Sequence, residues 1–308
     1  MSLKAYIKEI EECVVQDGPG NRSLVFLKGC ALRCTWCQNP ELLDPRPQIW
    51  FHKIRCKFCG KCVDVCPEDA LDLEGKYRID TTKCIGASCG KCVEVCPENA
   101  MEMVGYEITA EDLCKQLAKY KIFYDGSGGG VTLTGGDPLF LPDFSAETLR
   151  LCQEERIHTA IESALYANYE TLWKVAAYCD LILCDIKHMD SKKHKEGTGV
   201  PNELILENFQ KLNKDFNHDI FVRIPLIPGF NDDEENIART VEFLNPLKRV
   251  KGIDLLPFNM FPITKYEALS LNWIHTGEDR QSEEHLKKLQ GIIKSYGNRF
   301  KYTIGGLW

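Results

Sequence analysis

The sequence has no long hydrophobic run. No apolar stretch approaches the roughly 18 residues that a helix needs to cross a bilayer. The first residues, MSLKAYIKEIEEC, lack the basic-then-apolar pattern of a secretory signal. The chain therefore reads as soluble and cytoplasmic, with no membrane partner. Positive charge is also short. Lys and Arg number 38 against 45 Asp and Glu, for a net charge of −7. That balance speaks against a general phosphate-binding surface, and so against nucleic acid. KHMDSKKHKE (187–196) reads as a solvated loop or helix face.

Cysteine is plentiful instead. There are 16 in 308 residues, most in clusters with short gaps. A reducing cytosol would not keep a disulfide framework of that size, so metal ligation is the better reading. Three zones follow: residues 1–50 with a first cysteine motif, 51–102 rich in cysteine, and 103–308 with scattered cysteines.

The last zone alternates apolar runs with helical patterns. VTLTGG (131–136), IHTAIES (157–163), LILCDIK (181–187), IFVRIPLIPG (220–229) and GIDLLPF (252–258) read as strands. SLVFLKG (23–29) precedes them and YTIGG (302–306) adds a short last one. Helices are expected over 145–156, 169–178, 202–216, 232–244 and 282–296. Near-continuous apolar strands between helices point to a parallel sheet. Periodicity leaves a full barrel, a partial barrel and an open doubly wound sheet equally open. All of them put chemistry at the C-terminal ends of strands. Cys30, Gly135–Pro138, Glu162, Asp185, Lys187 and Asn259 all fall there.

The middle zone repeats itself. CGKCVDVCPEDAL from Cys59 and CGKCVEVCPENAM from Cys89 match at an offset of 30 residues. Cys56-x2-Cys59-x2-Cys62-x3-Cys66-Pro67 is the bacterial ferredoxin run, in which the fourth cysteine serves the other cluster. This assigns Cys56, Cys59, Cys62 and Cys96 to one 4Fe–4S cluster, and Cys84, Cys89, Cys92 and Cys66 to a second. In the second half the first gap is four residues, Cys84-IGAS-Cys89. Paired structural zinc sites are the alternative.

KGCALRCTWCQNPE (28–41) holds Cys30, Cys34 and Cys37 in a C-x3-C-x2-C spacing. Three thiolates on a 4Fe–4S cluster leave one iron open, as a catalytic metal requires. The remaining Cys13, Cys114, Cys152, Cys179 and Cys184 stand singly and suit buried core thiols.

C-x3-C-x2-C with Trp36 before the last cysteine resembles the radical S-adenosylmethionine (SAM) superfamily. DGPGNR (17–22), QNPE (38–41) and the two-cluster insert narrow the resemblance to the activating enzymes of glycyl radical enzymes. They resemble the type with two extra clusters, not the shorter single-cluster pyruvate formate-lyase type. The resemblance implies an α/β fold: a partial (β/α)6 barrel from residues 1–50 and 103–308, carrying a ferredoxin-like insert at 51–102. It implies three 4Fe–4S clusters, S-adenosylmethionine and a monovalent cation. The open iron would bind the cosubstrate, and a 5′-deoxyadenosyl radical would take hydrogen from a glycine Cα of a partner glycyl radical enzyme. A flavodoxin or ferredoxin would be the reductant.

Residue roles follow from the same resemblance. Gly135, Gly136 and Asp137 match the family's Gly-Gly-Glu-Pro loop, which meets the methionyl amine. Asp137 is one methylene shorter than the usual Glu, so a shifted loop or bridging water is expected. Lys187 of CDIKHMD would bind the cosubstrate carboxylate, although an internal Asp185–Lys187 pair is a competing reading. Asp185, Glu162 and Ser163 would frame the cation. Trp36 would lie beside the adenine, and Asn259 stands where relatives often carry His. Asp17 and Arg22 are assigned to the partner's glycine loop, and Arg223 to that loop or to the cofactor. Two other functions compete: a radical SAM enzyme acting on a small molecule or another protein, and a non-catalytic iron–sulfur carrier. The carrier leaves GGDP and DIK unexplained.

Overall fold

The computed structural model describes residues 2–75 and 78–306; Met1, Lys76, Tyr77, Leu307 and Trp308 lie outside the described residues. In chain order it contains β1 (Lys4–Val14), β2 (Arg22–Leu27), β3 (Gln48–Phe51), α1 (Lys61–Asp64), α2 (Lys91–Glu94), β4 (Met101–Val104), β5 (Tyr106–Thr109), α3 (Ala110–Ala118), α4 (Lys121–Ser127), β6 (Gly130–Gly135) and α5 (Pro142–Glu154). Then come β7 (His158–Ser163), α6 (Tyr169–Ala176), β8 (Leu181–Asp185), α7 (Ser191–Thr198), α8 (Glu203–Asp215), β9 (Asp219–Pro225), α9 (Glu234–Leu244), β10 (Val250–Leu256), α10 (Ile263–Ala268), α11 (Glu283–Ser295) and β11 (Lys301–Ile304). Helix starts are marked by Thr109, Asn168, Asp190, Asp233 and Ser282, whose side chains accept from the third backbone amide on. Each such cap is worth about 1 kcal/mol.

Among the described residues, nine strands form one sheet in the order β11-β10-β9-β8-β7-β6-β2-β1-β5. From β2 through β11 every pairing is parallel. Among the described residues the parallel strands β2 and β6–β11 follow one another in sequence order, without the reversal that marks a doubly wound sheet. The helices α3–α6, α8, α9 and α11 pack on one face. Val131, Leu133, Ile161, Ile182, Cys184, Val222 and Ile253 share the main core with Leu149, Leu172, Phe209, Val241 and Leu289 of the helices. The alternate positions, Ala160, Leu181 and Leu183, form a separate small cluster on the opposite face. Helices on one face and sequential winding give an open, barrel-like sheet.

The edge strand β5 and its neighbour β1 fall outside the sequence reading, as do β3 and β4. β1 runs antiparallel to β2 and to β5. Its stretch KAYIKEIEECV is half-exposed and charged on its outer face, so no apolar run marks it. The helices α1, α2, α3, α4 and α10 are likewise absent from the sequence reading. The 187–196 stretch is α7 for the most part, and it is less solvated than its charge suggests: Lys187, His188 and His194 are buried.

Strands β3 and β4 pair antiparallel, Gln48 with Val104 and Phe51 with Met101, and bracket the cysteine-rich segment. Ile49, Phe51, Cys62, Leu71, Ile79, Cys92, Ala100 and Met101 form its own core. The repeat is visible in the backbone. Gly60 and Gly90 start α1 and α2 at φ +81° and +68°. Cys66 Sγ accepts from Ala70 N at 3.3 Å, and Cys96 Sγ from Ala100 N at 3.2 Å.

Candidate active site

The C-terminal strand ends open into a cavity of about 390 Å³, within the roughly 300–1,000 Å³ of small-molecule sites. Cys30, Cys34, Cys37, Trp36, Gly135, Gly136, Asp137, Glu162, Ser163, Asp185, Lys187 and Asn259 all line it. Cys30 follows β2, and the loop carrying the three thiols is held from outside. Arg33 N donates to Thr198 O at 2.7 Å and Thr35 N to Gly197 O at 2.9 Å, so the last turn of α7 anchors it. Burial pushes the Cys37 thiol up to about 12, and raises Cys30 and Cys34 too. Thiolates here are costly unless a cation shares their charge. No fourth cysteine lines this cavity. Cys114, Cys152, Cys179 and Cys184 are buried, but Cys13 is exposed, against its reading as a core thiol.

Gly135 and Gly136 lie against β2 and the cysteine loop. Gly136 N donates to Leu27 O at 2.8 Å and Asp137 N to Gly29 O at 2.9 Å. A Cβ on Gly136 would stand 2.1 Å from Gly29 O, so only glycine permits the approach. Asp137 turns inward. Its carboxylate accepts from Leu139 N (2.9 Å), Ala164 N (3.0 Å) and the Ser163 hydroxyl (2.9 Å). Burial raises its pKa. The short side chain thus clamps the tip of β6 to that of β7.

Lys187 Nζ donates to Asp185 Oδ2 at 2.7 Å, so the internal pair exists. Asp185 Oδ1 is buried with no partner. Burial alone would lower the Lys187 pKa, but Asp185 and the Cys34 thiol outweigh it and hold it above the usual lysine range. Lys187 is therefore a fixed cation at the cavity wall. The expected cation frame is largely spent on protein contacts. Glu162 accepts from Thr134 Oγ1 (2.7 Å) and Arg223 Nη1 (2.5 Å), and Ser163 binds Asp137. Asn259 Oδ1 accepts from Phe261 N at 3.2 Å.

The residues assigned to the partner's loop divide. Arg22 is fully buried at the N-terminal start of β2, the end remote from the cavity. It donates to Thr132 Oγ1 (2.7 Å) and Val131 O (2.6 Å), and burial pushes its pKa down to about 10. It is a strand-pinning residue, which corrects that assignment. Arg223 is 5% exposed and bridges Glu162 to Asp17 Oδ1, each at 2.5 Å. Both Asp17 and Arg223 are thus committed to an ion network on the sheet's helix-free face.

The model of the Radical SAM superfamily matches residues 24–241. The choline trimethylamine-lyase activating enzyme of Oleidesulfovibrio alaskensis is 40% identical over 300 residues, spanning 95% of this chain and 96% of that protein. The trans-4-hydroxy-L-proline dehydratase activating enzyme of Clostridioides difficile is 38% identical over 307 residues, spanning 99% and 100%. The chain belongs to the glycyl radical enzyme-activating enzymes of the radical SAM superfamily. Streptococcus suis SuiB bound to S-adenosylmethionine shares the fold, at 18% identity and TM-score 0.51, over 64% of this chain and 43% of that one. The activating enzyme thus uses a 4Fe–4S cluster and S-adenosylmethionine to generate a glycyl radical in a partner enzyme.

The activating enzyme has site residues that the sequence reading passed over. Glu41 of QNPE is fully buried, 2.7 Å from Lys265 Nζ and 3.2 Å from Lys8 Nζ. Lys28 is fully buried and donates to Glu41 O. A charge ending the apolar run SLVFLKG was the available signal. In the insert, Cys56, Cys59, Cys62 and Cys96 ring one void, and Cys66, Cys84, Cys89 and Cys92 ring another. Among the described residues no His, Cys, Asp or Glu group converges on a single bare ion. Arg78, 6% exposed, places Nη2 3.1 Å from Cys62 Sγ.

Proposed function

We propose that this activating enzyme binds S-adenosylmethionine in the 390 Å³ cavity and works as a partial (β/α)6 barrel (1–50 and 103–308) carrying a ferredoxin-like insert (51–102) with two further 4Fe–4S clusters. One observation carries the reading. Three cysteines, a glycine cradle and the Lys187–Asp185 pair share one cavity that no fourth cysteine lines. Cys30, Cys34 and Cys37 would hold the catalytic cluster. When bound, the cluster and cosubstrate together supply reductive cleavage of the sulfonium to a 5′-deoxyadenosyl radical.

The protein's own groups do the positioning. The open backbone of Gly135 and Gly136 leaves room for the methionyl amine. Asp137 keeps that backbone in place by tying β6 to β7, so in this enzyme the shorter acid acts as a strut. Lys187 Nζ faces the cosubstrate carboxylate, and Asp185 Oδ1, left without a protein partner, is free to accept from a donor group of the cosubstrate. Trp36 walls the adenine side, with Asn259 at the cavity edge. Phe258 and Ile227 exclude water there, which protects a radical from side reactions. The partner contributes a glycine loop entering at the open end. Relatives that serve a choline lyase, a hydroxyproline dehydratase and a 4-hydroxyphenylacetate decarboxylase match at 38–40%. Activation is their shared property, and the partner's reaction varies.

Anaerobically reconstituted enzyme, reduced with dithionite, should convert S-adenosylmethionine to 5′-deoxyadenosine and methionine. Replacing Cys30, Cys34 and Cys37 by Ala should abolish this while leaving about eight of twelve irons, four per remaining cluster. Absence of 5′-deoxyadenosine from fully loaded wild type would sink the catalytic reading. Loss of all iron in the variant would sink the ligand assignment.

A further inference from the structure

The two cysteine rings of the insert differ in their surroundings. The ring of Cys66, Cys84, Cys89 and Cys92 adjoins the barrel: Cys84, Ile85 and Gly86 share a cleft with Tyr6, Pro47 and Leu269. The ring of Cys56, Cys59, Cys62 and Cys96 is lined by insert residues alone. The segment Lys53–Lys61, KIRCKFCGK, passes over it. Lys53, Arg55, Lys57 and Lys61 are all exposed and no acidic residue interrupts them. Between these charges Ile54 is 98% exposed and Phe58 57%. Phe58 holds its ring out from a left-handed backbone at φ +52°, a conformation that bulky residues avoid. The second repeat is weaker: Lys83 and Lys91 are exposed and Ile85 is 43% exposed, but Ile85–Ser88 carries no charge between its first two cysteines. Glu98 is the acidic residue beside the first ring.

We infer that this face is the docking site of a small, acidic one-electron carrier protein, and that electrons enter through the Cys56/Cys59/Cys62/Cys96 ring. The inference rests on the reading that the insert holds two clusters. On a chain of net charge −7, a face this rich in cations steers an acidic carrier toward it. Two apolar side chains ringed by four cations suit the small, transient contacts of redox partners. The step is a single electron: the carrier is oxidised by one, the docked ring's cluster is reduced by one, and no bond or proton moves. The second ring, next to the barrel, then lies between this entry point and the cavity.

The test compares two reductants by stopped-flow bleaching of cluster absorbance, using loaded enzyme. A photoreduced acidic two-cluster ferredoxin is the docking probe, and dithionite needs no docking. The double variant K53E/K57E should slow reduction by ferredoxin at least tenfold at low salt, and the rate should no longer fall as salt is added. Its dithionite rate should stay within twofold of wild type, and K53R/K57R should keep the ferredoxin rate. A ferredoxin rate unchanged in K53E/K57E overturns the docking site. So does an equal slowing by both reductants, which would place the effect on the cluster. Iron content separates the underlying reading: wild type with only about four irons per chain, instead of about twelve, would remove the insert clusters themselves.

Discussion

At the scale of single residues, this enzyme keeps charges where apolar side chains would fold more cheaply. Lys28 has no exposed surface, and burial pushes its pKa from 10.5 down to about 8. Below pH 8 it is charged in both folded and unfolded chains, and the full burial cost is present. Between pH 8 and 10.5 the folded protein releases a proton that the unfolded chain keeps, so stability rises with pH across that window. The relief is on the order of 3 kcal/mol. Lys28→Met should flatten this rise, which denaturant titrations at pH 7.5 and 10 would read. An identical pH slope in both proteins would show that Lys28 is not the titrating group. The charge has a use at the site, since Lys28 Nζ holds the Glu41 carbonyl beside the cysteine loop.

At the scale of elements, the cysteine loop is shaped by its neighbours. The end of α7 binds its outer edge through Gly197 and Thr198 carbonyls. Glu41 ties its far end to Lys8 of β1 and Lys265 of α10. The insert shows the same dependence. Its two halves share a backbone, but only the first ring has a buried arginine, Arg78, against a ligand sulfur. Among the described residues no carboxylate forms an ion pair with Arg78, and its Nε has no partner. A thiolate-bound cluster would supply the missing countercharge. On the proposed reading of two insert clusters, Arg78→Gln should lower the midpoint potential of one of them, on the order of tens of millivolts, and leave the other two clusters unchanged. Redox titration followed by electron paramagnetic resonance would resolve this. Equal shifts in all three clusters, or none, would count against the pairing.

At the scale of the whole molecule, the helix-free face of the sheet is crossed by an ion network. Asp17 comes from the loop before β2, Glu162 from β7 and Arg223 from β9. Asp254 of β10, beside it, accepts from Thr303 Oγ1 and Gly306 N near the end of the described chain. These contacts join segments more than 200 residues apart and fix the spacing of the strand ends. Arg223→Met would leave two carboxylates facing each other without a cation, at a cost of about 3–5 kcal/mol. The melting temperature should fall by about 5–8 °C. Adding Asp17→Asn and Glu162→Gln should recover most of that loss. A triple variant no more stable than the single one would show that packing, not charge, is what Arg223 supplies.

Much was legible in the sequence because it is local. Cysteine spacing, the 30-residue repeat and the apolar strands are set by bonds a few residues long. So β2 and β6–β11 were readable, as were the cavity residues at their ends. The sequence by itself also determined the number of thiols and the glycines that the loop after β6 needs. Tertiary structure decided what those groups do with one another. It turned Asp137 inward onto Ser163 and Ala164, buried Arg22 at the far end of its strand, and spent Glu162 on Arg223. It also wound the sheet in one direction with helices on one face. These outcomes depend on which distant groups meet once water is excluded, since a buried charge or donor takes whatever partner the packing brings. Spacing along the chain carries no record of that choice.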